Sequence, residues 1–141
     1  MSDTVEGVIS IAELKKLTSE QPVSKLFGFN VLELSPGYAK ISTKMKPDFL
    51  NFNGRVFGGI ITDVADEAFA LSVSTIAHPS VAVQINVNFL APAEAGDELI
   101  AEGRVIQSGK RLGLAEMTVT NQNGTIIAKM SGTYATIKRK A

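Results

Sequence analysis

The sequence predicts an α+β protein in which an antiparallel β-sheet wraps around one long central helix. Residues 58–77 have a helical period, are apolar on nearly all sides and contain only three acidic residues, which is typical of a buried helix. From residue 81 onward the apolar period changes from 3.6 to 2, which is typical of β-strands. With its length of 141 residues, the chain is expected to be one domain, 1–141, in which residues 1–24 are an N-terminal helical extension.

The first third of the chain reads as a helical segment followed by a β-hairpin. Residues 10–26 have a helical pattern that Ser10 can cap, and Pro22 is expected to end the helix or to split it. The residues Ser35-Pro36-Gly37 then form a turn, because proline fixes φ and glycine accepts a positive φ. Residues 47–57 form a loop that leads into the central helix.

A run of strands follows the central helix. The first strand is apolar at odd positions and rich in amides at even positions, so we expect one face to carry Val81, Val83, Ile85, Val87 and Phe89 and the other to carry Ala82, Gln84, Asn86 and Asn88. Further strands are expected at 97–107, 112–121 and 125–138. Asn123-Gly124 is a strong hairpin turn signal, and the Lys138-Arg139-Lys140 tail is expected to be solvated.

The composition excludes several classes of chemistry. Fourteen basic residues balance fourteen acidic ones, so no global field favours nucleic acid. The chain has no cysteine and one histidine, His78, so thiolate nucleophiles, disulfides and zinc sites with two histidines are excluded. We expect a cytoplasmic protein without a membrane span, because the sequence has no signal-peptide pattern and no apolar run of about 18 residues.

Two features of the central helix could carry chemistry. Gly58-Gly59 opens it, and glycine there either serves a tight turn or lets a ligand approach bare N–H groups, which suit a developing oxyanion. Asp66 lies in the apolar stretch VADEAFA, where a carboxylate is costly unless it is paired or used in a reaction. A purely structural role, such as pairing with a donor elsewhere in the chain, is the alternative for Asp66.

Gly58 and Asp66 are too far apart to act on one carbonyl group from the same helix. Eight residues at 1.5 Å each place them about 12 Å apart along the axis. If both residues serve one reaction, the acid comes from a second copy of the helix that runs roughly antiparallel. The spacing therefore predicts an obligate dimer, provided that both residues are functional.

The stretch N-x-x-G-x-x-F-G-G-I-I-T-D-V-A-D-E-A, which begins at Asn51, resembles the PaaI-like (phenylacetate-pathway) branch of hotdog-fold thioesterases in the 4-hydroxybenzoyl-CoA thioesterase superfamily. That branch typically has Asn, then Gly, then His-Gly-Gly, then Asp eight residues beyond the first of those glycines. The segments at 81–99 and 103–134 follow the family pattern as well. The resemblance covers roughly residues 25–137 and implies a hotdog fold and acyl-CoA thioesterase activity.

The resemblance also implies roles for individual residues. Asp66 matches the acid that attacks the thioester or activates water, and the N–H of Gly58 matches the group that polarises the thioester carbonyl. Asn51 matches an amide that positions the carbonyl or water. Substrate contacts are expected from Phe57, Gly59, Ala82, Asn86, Lys110 and Arg111, of which the last two lie where basic residues meet coenzyme A phosphates. On sequence alone, that basic pair also fits an ordinary exposed hairpin.

Two positions depart from the family pattern. Phe57 replaces the usual histidine before Gly-Gly, and Ala82 replaces a serine that commonly orients water. A lost hydrogen bond of this kind can cost a factor of about 10² in rate. His78 is too close to the end of the helix to substitute within its own subunit, and a role as a cap or dipole partner there is the simpler reading.

We therefore expect an acyl-CoA thioesterase that converts acyl-CoA and water to a carboxylic acid and free coenzyme A, with no metal or redox cofactor. The resemblance favours a homotetramer over a homodimer. The alternatives are an acyl-CoA binder that has lost catalysis through Phe57 and Ala82, a dehydratase, and a structural oligomer. Dehydration in this fold usually relies on a His-plus-acid pair, which the motif lacks.

Overall fold

The computed structural model describes residues 9–137, so the Lys138-Arg139-Lys140 tail and the first eight residues of the extension lie outside the described residues. Ser10 caps helix α1 (Ile11–Glu20), since its hydroxyl accepts a hydrogen bond from the N–H of Glu13 at 3.1 Å. Pro22 splits the predicted helix, because proline lacks an N–H and is favoured at a first helical position. It opens helix α2 (Pro22–Phe27).

The predicted hairpin is present as strands β1 (Asn30–Ser35) and β2 (Tyr38–Lys44), which pair antiparallel. Gly37 in the turn has a φ of +74°, a conformation that glycine adopts at no steric cost. The predicted loop contains one short 3-10 helix, Pro47–Phe49, before the central helix begins.

The central helix α3 (Gly58–Ser74) is buried on most of its surface. It ends three residues before the predicted boundary, in a tighter turn where the N–H groups of Ile76 and Ala77 both reach the carbonyl of Val73. One stripe of α3 stays exposed in the single chain and carries Gly59, Asp66 and Ala70. These positions share a face because residues seven and eleven apart fall on the same side of a helix.

One antiparallel sheet of six strands wraps around α3, in the order β1-β2-β4-β5-β6-β3. The remaining strands are β3 (Ser80–Phe89), β4 (Glu98–Ser108), β5 (Leu112–Thr120) and β6 (Ile126–Thr136). Glycine permits the close approach of the sheet to the helix, since a Cβ on Gly103 would lie 2.6 Å from the carbonyl oxygen of Ala68. Strand β3 lies at one edge of the sheet and has no neighbour on its outer side among residues 9–137.

The predicted alternation along β3 is wrong at its beginning. The pairing register with β6 shifts between Ala82 and Gln84, so Val83 is the extra residue of a bulge. Ala82 pairs with the buried Tyr134 and therefore lies on the face that Ile85 shares, not on the amide-rich face. Within residues 9–137, no helix has the length and apolar character needed to cross a membrane.

Candidate active site

The first turn of α3 presents free hydrogen-bond donors. Phe57 is the N-cap residue and offers no side-chain acceptor, while the N–H groups of Ile60 and Ile61 reach back to its carbonyl at 2.9 Å and 3.4 Å. The N–H groups of Gly58 and Gly59 donate to no group among the described residues. Because the helix dipole adds partial positive charge at this end, these two N–H groups can stabilise an oxyanion.

Two phenylalanine rings flank these donors. A Cβ added to Gly58 would lie 3.2 Å from Cζ of Phe89, and one added to Gly59 would lie 2.9 Å from Cε2 of Phe57. Both glycines therefore satisfy a packing requirement and keep the backbone accessible at the same time. The rings are 58% (Phe57) and 54% (Phe89) exposed. Phe89 borders an open groove of about 340 Å³, whose lining residues are Arg55, Val56, Gly58, Ile61, Phe89, Leu90, Ala91 and Pro92.

Asn51 stabilises the loop at the edge of this groove. Its side-chain oxygen accepts hydrogen bonds from the N–H groups of Asn53 at 2.9 Å and Arg55 at 3.2 Å. The side-chain NH₂ group makes no hydrogen bond within the described part of the chain. Any contribution of Asn51 to the site must therefore come from this NH₂ group, because the oxygen is already occupied.

Asp66 lies at a second pocket, of about 230 Å³. The pocket is lined by Asp66, Phe69, Ala70, Val73 and Ser74 of α3, by Ser80, Val81 and Ala82 of β3, and by Tyr134 of β6. Although the side chain is exposed in the single chain, desolvation by the surrounding protein raises the pKa of Asp66, and the negative charge of Asp63 raises it further. Asp66 is thus a carboxylate of raised basicity beside an apolar pocket.

The fully buried acid on α3 is Glu67 rather than Asp66. Its side chain is 8% exposed, and its Oε2 accepts a hydrogen bond from Nε2 of Gln21 at 2.7 Å. Burial raises the pKa of Glu67, the Gln21 bond lowers it, and the charge of Asp66 raises it. The expectation that Asp66 is embedded in the core is therefore corrected, since position 66 falls on the exposed stripe of the helix.

Within one chain, the structure does not bring the predicted catalytic residues together. Gly58 lines the first groove, Asn51 bonds the backbone of Arg55 at its edge, and Asp66 lines the second pocket. The groove and the pocket have no lining residue in common. About 12 Å of helix separates Gly58 from Asp66. Ala82 lines the Asp66 pocket, while Phe57 and Gly59 lie at the helix N-terminus.

Asn86 lies on the outer face of the sheet in the single chain, and its predicted place near the site stays a prediction. Asn86 pairs with Ser131, whereas its neighbours Ile85 and Val87 pair with Gly132 and Met130, which pack toward α3. Paired residues share a face of a sheet and successive residues alternate, so Asn86 lies on the outer face.

The basic turn lies at the Asp66 end of the sheet. Lys110 and Arg111 are exposed, and the carbonyl of Arg111 accepts a hydrogen bond from the N–H of Thr136 at 2.8 Å. Thr136 pairs with Ser80, which lines the Asp66 pocket. His78, expected to be a cap or a dipole partner at the end of α3, is not its C-cap, since Thr75 occupies that position.

Phe89 lines the groove and Tyr134 lines the Asp66 pocket, and the sequence predicts neither as a candidate site residue. It also does not predict the bond between Gln21 and Glu67. Phe89 was assigned to an apolar face without the contact to Gly58, which depends on how β3 returns along α3. An acidic residue in an apolar helix is a usable signal of a special role. The sequence attaches that signal to Asp66, whereas the acid that the structure buries is Glu67. No local signal links Gln21 to Glu67, because 46 positions separate them.

Comparisons with known proteins place these features in a family. Residues 53–128 match the family model of the thioesterase superfamily. The acyl-coenzyme A thioesterase PaaI of Escherichia coli is 28% identical over 109 residues, which cover 77% of this chain and 78% of that protein. The solved structure of the E. coli PaaI protein from the phenylacetic acid degradation operon gives a TM-score of 0.85 at 25% identity, covering 92% of this chain and 97% of that one.

A further similar structure contains a ligand. The smu.793 protein of Streptococcus mutans, bound to acetyl CoA, gives a TM-score of 0.75 at 29% identity and covers 79% of this chain and 91% of that one. The sheet around α3, the glycines at its N-terminus and these matches lead to one conclusion. The chain belongs to the thioesterase superfamily and is a hotdog-fold thioesterase of the PaaI-like branch.

Proposed function

We propose that the chain hydrolyses acyl-CoA to a free carboxylic acid and coenzyme A, at a site formed by the α3 N-terminus of one subunit and Asp66 of another. One observation carries the proposal: free N–H donors and a carboxylate of raised basicity lie along the same helix, each beside its own open pocket. A thioesterase needs both groups at one carbonyl.

The two groups have complementary tasks. The N–H of Gly58 would hold the thioester oxygen and stabilise the negative charge that develops on it. Ionised Asp66 would attack the carbonyl carbon or remove a proton from the attacking water. The carbon–sulfur bond then breaks, and coenzyme A leaves as a thiol once its sulfur takes up a proton. If water attacks, the free acid forms in this step; if Asp66 attacks, the acyl group stays on Asp66 as an anhydride, which water then hydrolyses to the free acid and the aspartate. The raised pKa of Asp66 makes its carboxylate a stronger base than an ordinary aspartate, as long as it remains ionised.

Strand β3 supplies the reason for a dimer. Among residues 9–137 it is an edge strand with an unpaired hydrogen-bonding side, and it exposes four large apolar side chains, Val81, Val83, Ile85 and Phe89. Such an edge is a template for pairing with another chain. A second copy of β3, paired antiparallel across a two-fold axis, would cover both the edge and these side chains.

This pairing would also complete the site. Strand β3 runs back along α3, so its Phe89 end lies at Gly58 and its Ser80 end lies at the Asp66 pocket. Antiparallel pairing brings the Phe89 end of one copy beside the Ser80 end of the other. Each Gly58 is thereby moved toward the Asp66 of the neighbouring subunit. A tetramer of two such dimers, which the family resemblance favours, preserves these shared sites.

Coenzyme A and the acyl group have candidate contacts on both halves. Lys110 and Arg111, at the Asp66 end, would meet the phosphates of coenzyme A, and Phe57 and Ala82 would contact the acyl group. The acetyl CoA in the smu.793 structure supports a coenzyme A thioester as substrate. The reaction consumes only acyl-CoA and water, and we place it in the cytoplasm.

Release of free thiol from a panel of short, long and aromatic acyl-CoAs tests the proposal. We expect Asp66→Asn to lower kcat/KM by a factor of about 10² or more, since it removes the nucleophile or base. Asp63→Asn is the matched control, one turn away on the same helix, and should keep most of the activity. Full activity of Asp66→Asn on every substrate that the native protein cleaves would contradict the proposed mechanism.

A catalytically weakened acyl-CoA binder is the second candidate function. Phe57 and Ala82 favour it, because neither side chain can donate the hydrogen bond that the family pattern has at its position. Calorimetric titration with coenzyme A separates the two candidates. Binding without thiol release from any substrate would support the binder, and Phe57→His would then be the variant expected to gain activity.

A further inference from the structure

The pocket beside Asp66 has an exposed entrance and a buried inner end. Asp66 and Ala82 are exposed in the single chain, whereas Phe69, Val73 and Tyr134 are 2%, 2% and 1% exposed. The pocket therefore leads from the Asp66 carboxylate into the space between α3 and the sheet. A group that enters at Asp66 meets aromatic and aliphatic side chains at the inner end.

The side chain of Tyr134 extends away from the centre of this pocket. Tyr134 pairs with Ala82 of β3 on one side and with Gly113 of β5 on the other. A Cβ on Gly113 would overlap Cζ, Cε1 and the hydroxyl oxygen of Tyr134. That hydroxyl group donates a hydrogen bond to Oγ of the exposed Ser108 in β4, at 3.1 Å. The ring thus crosses β5 toward β4, and the space in front of Ala82 stays open.

The second aromatic ring of the pocket lies against the sheet in the same way. A Cβ on Gly132 would lie 2.6 Å from Cε2 of Phe69. Gly132 and Gly113 do not line the pocket, yet each leaves the room that an aromatic ring occupies. Since protein interiors are close-packed, a side chain at either glycine would push its ring toward the open space. The volume of the pocket therefore depends on two glycines outside it.

We propose that Tyr134, with its ring placed over Gly113, is a specificity-determining residue that limits the length of the acyl group accepted beside Asp66. The inference rests on the proposed function, in which Asp66 acts at the thioester carbonyl. Coenzyme A is too large and too polar for this pocket, so the acyl group is the part of the substrate that enters it.

The volume of the pocket sets the size of that acyl group. A pocket of about 230 Å³ holds about eight groups of the size of a water molecule or a methylene, at about 30 Å³ each. The favoured class is therefore straight-chain acyl groups of up to about eight carbons, or a ring system of similar volume. A longer chain meets the ring of Tyr134, which the bond to Ser108 holds in place.

A series of S-alkyl-CoA thioethers of increasing chain length tests the limit without turnover, because a thioether cannot be hydrolysed. Calorimetric titration gives a Kd for each member, with coenzyme A itself as the reference. Each added CH₂ group that enters the pocket should lower Kd by about fourfold. The gain should stop at about eight carbons in the native protein.

Two substitutions should move this limit in opposite directions. Gly113→Ala pushes the ring into the pocket and should shorten the limit by about one or two carbons. Tyr134→Leu opens the pocket toward Gly113 and should lengthen the limit by at least as much. The double variant has no ring to displace, so its limit should be no shorter than the native one.

Ile41→Val is the control for a general loss of stability. Ile41 is fully buried in β2, four strands away from β3 in the sheet, and does not line the pocket. This variant should lower the melting temperature and leave the chain-length limit unchanged. If Gly113→Ala does not fold, the comparison of Tyr134→Leu with Ile41→Val decides the question.

Two results would overturn the inference. One is the same limit in the native protein and in Tyr134→Leu, and the other is a series in which no thioether binds more tightly than coenzyme A. Release of free thiol from acyl-CoAs is measured separately. A limit that moves as expected, with no thiol release from any substrate, would support the pocket while rejecting hydrolysis.

Discussion

Helix α3 offers two different chemical environments along one exposed stripe. Its first turn has free N–H donors between two phenylalanine rings and contains no acid. Two turns later, Asp63, Asp66 and Glu67 fall within a single turn, and Asp66 lies beside a pocket away from the helix N-terminus. The first environment can stabilise an oxyanion but cannot attack a carbonyl group, and the second can attack but cannot stabilise the product of the attack.

In the proposed mechanism, this difference makes a single chain only half of a hydrolytic site. Both environments are built from one helix, so their distance is fixed by its geometry at about 12 Å. No loop movement can shorten that distance. The proposed two-fold axis beside β3 would solve the problem, because it would place the donor end of one helix opposite the acidic turn of another.

The largest effect is expected at the donor end. Gly58→Pro removes one N–H and keeps the helix, because proline is favoured at the first helical position and Phe57 already has the extended ψ of 133° that precedes proline. Loss of an oxyanion donor should lower kcat by a factor of about 10² to 10³. Gly58→Ala is the matched control, since its Cβ meets the same Phe89 ring but the N–H remains. Equal loss in both variants would assign the effect to crowding, and the oxyanion role of Gly58 would be rejected.

Mixing two inactive variants tests whether the two environments belong to different subunits. When Gly58→Pro and Asp66→Asn are unfolded, mixed in equal amounts and refolded, about half of the dimers are mixed, and each mixed dimer has one site free of both substitutions. Thiol release should return to about one quarter of the native rate. Activity no greater than the mean of the two parents would show that each site is made by one chain.

How the two environments face each other could not be read from one sequence, but their separation could. The resemblance and the change of period were enough to predict the sheet and the central helix. The roles of the residues at both of its candidate turns stay predictions. The bulge at Val83 broke the simple alternation that placed Ala82 and Asn86 together. Bulges depend on the pairing register between neighbouring strands. The alternating apolar pattern of one strand carries no information about that register.

The two N-x-N-G turns show a second limit of sequence reasoning. Asn51 and Asn121 each accept two backbone N–H groups with the same side-chain oxygen, and each precedes a glycine with positive φ by three positions. One turn lies at the α3 groove and the other joins β5 to β6. The shared pattern is therefore a turn requirement, and only the surroundings can give Asn51 a second role.

Replacing Asn51 and Asn121 with aspartate tests the turn requirement separately from a role in catalysis. Asn51→Asp and Asn121→Asp keep the accepting oxygen and remove the NH₂ group, so both turns should persist with changes in unfolding free energy of about 0.5 kcal/mol or less. If the NH₂ group of Asn51 positions substrate or water, only Asn51→Asp should lower kcat/KM, by about tenfold or more, through loss of a hydrogen bond that is made to the substrate. Equal kcat/KM in both variants would leave Asn51 with a structural role alone.

The smallest effect is expected in stability at the acidic turn. Because the folded pKa of Glu67 is raised, the folded chain holds a proton that the unfolded chain has already lost, so stability falls as pH rises from the unfolded pKa and levels off above the folded pKa. Glu67→Gln carries no such penalty. Its melting temperature should exceed that of the native protein by about 2–4 °C at neutral pH, and the gain should vanish below the unfolded pKa. Thermal melts across that range check the sign, and a gain that persists in acid would show that packing, not charge, is the cause.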